Sequence, residues 1–173
     1  MNTPFKLFQT SRLVAAALGL ASLGAAHADS DRMMPRAVPQ AYTQECAACH
    51  TAYPPGMLPA PSWQRIMGGL DNHYGNDASL DPATVQQLSA WLQTHAGTYK
   101  RVREAPPEDR ITRSEWFVRK HREVAPSVWR LPSVKSAANC AACHGAADRG
   151  DFDDDNLIFP AGLEARMRRA WRD

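Results

Sequence analysis

The chain has 173 residues, of which 20 are Lys or Arg and 18 are Asp or Glu, and 44% of its residues are hydrophobic. This length suits one domain or two small ones, and the apolar content excludes a disordered chain. The formal net charge of +2 is too small for the concentrated basic surface that nucleic-acid binding needs.

The first 28 residues have the organisation of a secretory signal peptide. Lys6 and Arg12 precede an apolar run, 13–23, and the run is followed by an A-x-A cleavage site at 26–28. The run is too short to span a bilayer, which disfavours an uncleaved anchor. Cleavage near Ala28 would leave 145 of the 173 residues, with 18 residues of each charge and no membrane span. We therefore expect an exported protein, periplasmic in a Gram-negative host.

Two helices are predicted in the N-terminal half. The segment 51–61 contains four Pro and cannot form a regular helix. A helix over 62–72 would begin at Ser62 as N-cap, and a second over 82–96 would begin after Asp81, with Pro at its first position and Gly97 at its end. Each has one apolar face. The faces comprise Trp63, Ile66, Met67 and Leu70 in the first helix, and Val85, Leu88, Trp91 and Leu92 in the second.

The C-terminal half begins after a charged, Pro-containing linker at 100–111. Thr112 and Glu115 fit a capping box for a helix over 113–122, and a second helical approach is predicted over 133–143. The acidic stretch 148–155 reads as a solvated turn. Since no strand pattern persists, the chain is predicted to be mainly α with substantial loop.

All four Cys lie in two copies of one pentapeptide, C-A-A-C-H, which is the attachment motif for c-type haem. Two thiols reach the two vinyl groups of a porphyrin, and the following His binds the iron. Disulfides, a structural zinc site or a thioredoxin-like pair would leave both His unexplained. The motif residues are Cys46, Cys49 and His50, then Cys140, Cys143 and His144. The sequence therefore predicts two covalently attached haem c groups.

The second axial ligand of each iron decides function, because an open position permits O₂ or peroxide chemistry and a closed one leaves electron transfer. For the second haem the candidate is His121, four residues after Phe117 on one helix face. Its basic surroundings, RKHR, are equally typical of a surface His.

For the first haem the candidates are His73, His95, Met57 and Met67. His73 lies 23 residues after the first motif His, and His121 lies 23 residues before the second. This spacing favours His73. Met67 shares a helix face with Trp63 and is by default a core residue, while Met57 remains open.

Three stretches resemble the small dihaem cytochrome c family. They are CAACHTAYPPGMLPAPSWQRIMGGLDNHYG, WFVRKHREVAPSVW and NCAACHGAADRGDFDDD, and the resemblance covers about residues 40–158. It implies a mainly α protein with an N-terminal haem domain, 29–99, similar to class I cytochrome c. A small, loop-rich C-terminal haem domain of different arrangement would follow at 112–173.

The resemblance also implies that both haems are bis-His, with His73 and His121 as the carried-over distal ligands. It implies an electron carrier that works between a membrane b-type cytochrome and a soluble redox partner, such as a small oxygen-binding cytochrome c. We also expect a monomer. Bis-His ligation predicts lower potentials than His/Met ligation. The alternatives are a haem peroxidase or reductase, or a gas-binding haem protein, each of which needs one open iron.

Overall fold

The computed structural model describes residues 33–98 and 102–171, and this part of the chain is helical, without strands. The α-helices are α1 (Ala60–Met67), α2 (Pro82–Thr94), α3 (Glu115–Lys120) and α4 (Ala165–Ala170). A π-helical turn spans Tyr42–Cys46. The 3₁₀ turns are Pro55–Met57, Leu70–Asn72, Pro107–Asp109, Ile111–Arg113, Val128–Arg130, Cys140–Ala142, Ala147–Arg149 and Asp154–Asn156. The prediction of a mainly α chain is confirmed.

The predicted signal peptide, 1–28, lies outside the described residues, as do 29–32 and 99–101. Within the described ranges, no helix has the length and apolar character needed to cross a membrane.

The N-terminal boundary predicted for α1 is wrong. The helix begins at Ala60 with Pro59 as N-cap and Pro61 in its first turn, where a fixed φ and a missing N–H are tolerated. Ser62 is buried inside the helix and does not cap it. The helix also stops at Met67, and residues 70–72 form a separate 3₁₀ turn.

The start of α2 is confirmed. The Asp81 side chain accepts hydrogen bonds from the backbone N–H groups of Ala83 and Thr84, both at 3.0 Å. The helix ends at Thr94, three residues before Gly97, so Gly97 does not end it as predicted. Gly97 instead allows a close approach of two backbone segments. A Cβ at Gly97 would lie 2.5 Å from the Gly56 carbonyl oxygen, which only glycine permits.

Two predictions in the C-terminal half are wrong. The cap of α3 is Ser114, whose hydroxyl accepts from the Phe117 N–H at 3.1 Å, because a 3₁₀ turn occupies 111–113 in place of the predicted capping box. In place of the helical approach predicted over 133–143, this segment has turns that end in the 3₁₀ turn Cys140–Ala142. Lys135 adopts a left-handed conformation, φ 68°, which interrupts any helix there.

The two halves differ in the size of their apolar clusters. The N-terminal cluster has seven buried residues and packs α1 against α2, whereas the C-terminal cluster has three. The first comprises Tyr42, Ala52, Leu58, Trp63, Met67, Leu88 and Leu92, and the second Val128, Val134 and Leu163. The apolar faces predicted for α1 and α2 both point into the first cluster. The division of the chain at 100–111 stays a prediction.

We expect Leu88→Ala to lower the free energy of unfolding by about 2–5 kcal/mol, because Leu88 is completely buried between the two helices and its truncation leaves a cavity. Chemical denaturation of the holoprotein measures this change. Gln87→Ala is the matched control, since Gln87 is exposed on the same helix and should change stability by no more than about 0.5 kcal/mol. Equal effects of the two substitutions would contradict this description of the core.

Candidate functional site

The first pair of histidines brings the proximal residue of motif one together with His73. The ring centroids of His50 and His73 are 6.1 Å apart, and their planes differ by 22°. His50 follows the π-helical turn and the first Cys pair, while His73 follows α1. Residues 23 positions apart in sequence therefore face each other.

A tight turn presents His73. The His73 N–H donates to the Asn76 carbonyl at 2.7 Å, and the Asn76 N–H donates back at 3.2 Å. The two central residues, Tyr74 and Gly75, have φ values of 55° and 95°. Positive φ at both positions is the pattern of a type I′ turn, and it is strained for Tyr. The surrounding structure must hold this turn in place.

Four residues, which we call the His73 clamp, hold the turn from outside: Arg65, Tyr74, Glu108 and Asp109. Arg65 makes two hydrogen bonds to the Asp109 carboxylate, at 2.7 and 2.8 Å. The Tyr74 hydroxyl donates to the backbone carbonyls of Glu108 and Asp109, at 3.2 and 3.1 Å. Through these hydrogen bonds the clamp connects α1 and residues 108–109 with Tyr74, the residue next to His73.

The second pair of histidines brings His121 together with His144. Their ring centroids are 6.2 Å apart, and their planes differ by 78°. His121 follows the last residue of α3, and His144 follows the 3₁₀ turn Cys140–Ala142, with its N–H donating to the Cys140 carbonyl at 2.8 Å. The order of motif and partner is reversed relative to the first pair.

Backbone carbonyls set the tautomer of two of these rings. The Nδ1 of His50 lies 2.7 Å from the Thr51 carbonyl oxygen, and the Nδ1 of His121 lies 2.9 Å from that of Phe117. Because a carbonyl only accepts, each Nδ1 carries the proton, and each Nε2 keeps a lone pair for a metal. The ring of Phe117 also stacks on His121, with centroids 4.0 Å apart.

Burial favours the neutral form of three imidazoles at these sites. Desolvation is the largest cause that lowers the pKa of His73, His121 and His144 below the ordinary value. The His144 Nδ1 is buried and has no well-aligned hydrogen-bond partner among the described residues. The nearby Asp153 backbone raises the pKa of His144 and so partly offsets the effect of burial. Neutral rings are the form that binds iron.

The separation of the rings fits an iron with two axial imidazoles. Two metal–nitrogen bonds of about 2 Å, plus about 1.1 Å from each nitrogen to its ring centroid, place the centroids about 6.2 Å apart. The observed values are 6.1 and 6.2 Å. Both separations are therefore compatible with an iron placed between the two rings.

A cavity of about 300 Å³ adjoins the second pair and is lined largely by apolar and aromatic side chains. Its wall combines aromatic rings with the second haem motif. Among its lining residues are Trp116, Phe117, Trp129, Phe152, Cys140 and Cys143. Tyr53 and Met57 of the N-terminal half also line this cavity. It therefore draws on both halves of the chain.

None of the four cysteines is in a disulfide. Burial raises the pKa of both Cys46 and Cys140 to about 11. A raised pKa opposes the accessible thiolate that a redox-active cysteine needs. This argues against the thioredoxin-like alternative at these two positions.

The rival ligands for the first haem lie elsewhere. The His95 Nδ1 lies 2.9 Å from the Trp91 carbonyl oxygen, and its ring packs on the Trp91 ring with centroids 5.2 Å apart. Met67 is buried in the N-terminal cluster. Met57 is buried and lines the second cavity. His73 is therefore the candidate that the fold brings to His50.

Sequence reasoning missed three residues that organise these sites: Tyr53, Arg65 and Asp109. The Tyr53 ring stacks on His50, with centroids 4.8 Å apart and planes within 21°. Its position three residues after the motif His could have indicated a contact with that His. The sequence contains no comparable indication that Arg65 pairs with Asp109, because the two residues are 44 positions apart.

The chain is similar to known dihaem cytochromes c. A family model described as dihaem cytochrome c matches residues 42–152. A diheme cytochrome type c from Shewanella baltica OS155 has 37% identity and a TM-score of 0.63, covering 72% of this chain and 96% of that chain. The comparison with curated proteins gave no match.

Two structures of diheme cytochrome c from Rhodobacter sphaeroides are also similar. One has 40% identity and a TM-score of 0.59, covering 65% of this chain and 95% of that chain. The other has 41% identity and a TM-score of 0.57, covering 66% of this chain and 96% of that chain.

We expect Cys140→Ser combined with Cys143→Ser to disrupt the C-terminal half, because its apolar cluster is small and a bound haem would supply much of its core. Limited proteolysis should show cleavage within 112–171 and protection of the N-terminal core. The matched control, Cys46→Ser with Cys49→Ser, removes the other attachment site. A C-terminal half that stays resistant in the first variant would contradict the expectation.

We expect Asp109→Asn to loosen His73, because it weakens the paired hydrogen bonds to Arg65. Cyanide binding to the oxidised protein should then be faster than in the wild type. Glu164→Gln, which removes the charge of an exposed pair with Arg166, is the control and should leave the rate unchanged. An unchanged rate in Asp109→Asn would exclude a role for the clamp.

The same pairing has a pH dependence. The hydrogen bond from Arg65 is the main cause that lowers the pKa of Asp109 below its usual value. The stabilisation that this pairing gives to the folded protein is therefore fully present above the ordinary pKa of an Asp. It is lost as the pH falls through the lowered pKa of Asp109.

Proposed function

Because the chain belongs to the dihaem cytochrome c family and so carries two covalently bound c-type haems, we propose that it is an electron carrier with two bis-His irons. His50 and His73 ligate the first iron, and His144 and His121 ligate the second. Cys46 and Cys49 tether the first haem, and Cys140 and Cys143 tether the second.

The observation that carries this proposal is the matched separation of the two histidine pairs, 6.1 and 6.2 Å. Imidazoles on both faces leave an iron no position for O₂, peroxide or another substrate. Electron transfer remains available to such a centre, whereas a peroxidase, a reductase or a gas-binding protein needs one open position.

When bound, each haem supplies an iron that cycles between Fe(III) and Fe(II) by one electron. The residues of the chain hold its ligands still. Hydrogen bonds from Nδ1 to the carbonyls of Thr51 and Phe117 fix two rings, and the type I′ turn with the clamp fixes His73. Ligands that do not change between oxidation states require little rearrangement for each electron.

The imidazole ligands also bear on potential. A neutral imidazole in place of a thioether lacks the feature that raises the potential of His/Met cytochromes. We expect both irons to have lower potentials than a His/Met cytochrome c.

The proposal extends to location and partners. The signal-like segment 1–28 and the C-x-x-C-H motifs, whose haems are attached outside the cytoplasm in bacteria, support a periplasmic protein. As a monomer it would carry electrons between a membrane b-type cytochrome and a soluble redox protein. Two haems allow an electron to enter at one site and leave at the other.

Replacement of the distal ligand tests the proposal. The wild-type oxidised protein should be entirely low-spin, and His73→Ala should convert one haem to a high-spin form that binds cyanide. Added imidazole should restore the low-spin spectrum, because it replaces the missing ring. His121→Ala should do the same at the other haem.

The matched control is His95→Ala, which removes a histidine of the same half that packs on Trp91. It should leave both haems low-spin. A high-spin signal in His95→Ala and none in His73→Ala would transfer the ligand assignment to His95. A stoichiometric high-spin signal in the wild type would overturn the closed bis-His centre altogether.

A further inference from the structure

Tyr53 contacts both haem sites with one side chain. On the first side its ring stacks on His50, with centroids 4.8 Å apart and planes within 21°. On the second side its hydroxyl donates to the Ala138 carbonyl at 2.6 Å. Ala138 lies 85 residues further along the chain and two residues before Cys140.

The backbone around Tyr53 is held on both sides. The buried Tyr42 donates its hydroxyl to the Tyr53 carbonyl. Pro54 and Pro55 follow directly and are fully buried, and the Trp63 indole donates to the Pro55 carbonyl at 2.7 Å. Two successive prolines allow little backbone rotation. The Tyr53 ring therefore occupies a fixed position on the N-terminal core.

The segment that Tyr53 reaches is irregular and needs such an anchor. Residues 136–139 form turns, and the Asn139 side chain donates to the Val134 carbonyl at 3.0 Å. The 3₁₀ turn Cys140–Ala142 follows at once and carries the second attachment motif. Tyr53 also lines the cavity beside Cys140 and His144.

We propose that Tyr53 is a shared positioning residue, which orients the His50 imidazole and places the second haem motif relative to the first haem. Stacking restricts rotation of His50 about its bond to the iron. The hydroxyl fixes where the second motif begins. This inference rests on the ligation proposed above and adds that the two haem sites depend on one side chain.

The two contacts of Tyr53 can be separated by substitution. Tyr53→Phe keeps the ring on His50 and removes the hydrogen bond to Ala138. Tyr53→Leu removes both contacts. Tyr74→Phe is the matched control, because it removes a hydroxyl from the opposite, His73 side of the first site and makes no contact with the second motif among its described hydrogen bonds.

EPR of the oxidised holoprotein distinguishes the two haems. When the two imidazole planes are nearly parallel, the two iron d orbitals that interact with the imidazole π systems differ in energy. When the planes are nearly perpendicular, these two orbitals are close in energy. The 78° pair should therefore give a more anisotropic low-spin signal than the 22° pair. Two low-spin signals in the wild type test the ligation, independently of every Tyr53 variant.

In Tyr53→Phe we expect the first haem signal to be unchanged and the second to shift or broaden, with a shift in the second midpoint potential. In Tyr53→Leu we expect both signals to change. Tyr74→Phe should leave the second signal as in the wild type. With both wild-type signals present, an unchanged second haem in Tyr53→Phe would overturn the shared role, even if the Leu variant does not fold.

Discussion

The constraint on which the described structure depends is the placement of two imidazole rings about 6 Å apart, twice, in a chain with little regular structure. The spacing equals that of two metal–nitrogen bonds and two ring radii, so in the proposed centres a shift of about 1 Å at either ring would lengthen its bond to the iron beyond ligation. Four helices and a series of short turns must meet this tolerance. Much of the local structure is explained by that requirement.

The two sites meet it in different ways. His73 lies in a strained turn that an external clamp holds, while His121 follows a short helix and is fixed by the Phe117 carbonyl and ring. The planes of the rings differ by 22° at one site and by 78° at the other. The two irons would therefore have identical ligand atoms in different electronic surroundings. In the proposed carrier, different surroundings would give the two irons different potentials and so bias how an electron is shared between them.

Local chemistry was predictable from the sequence, and long-range geometry was not. The C-x-x-C-H motifs, the Asp81 cap and the apolar faces of α1 and α2 each depend on neighbouring residues, and each was found. Ser62 failed as a cap because Pro59 and Pro61 start the helix earlier. The helix expected over 133–143 failed because Lys135 takes a left-handed conformation, which nothing in its own sequence demands. The contacts of Arg65 with Asp109 and of Tyr53 with Ala138 join residues 44 and 85 positions apart, beyond the reach of any periodicity.

These long-range contacts show how the second haem site is maintained despite its small apolar cluster. Tyr53 and Met57 of the N-terminal half line its cavity, and the Met33 N–H donates to the Gly150 carbonyl at 2.9 Å. Gly150 has φ 72°, and a Cβ there would lie 2.4 Å from the Cβ of Met34, so both its conformation and its close contact require glycine. The C-terminal half thus receives part of its wall and part of its backbone support from residues of the N-terminal half. A site built in this way cannot be a simple copy of the first, since its own sequence does not contain all of its walls. Its position relative to the first haem is consequently a product of the fold as a whole, which is what a carrier that passes electrons between two centres requires.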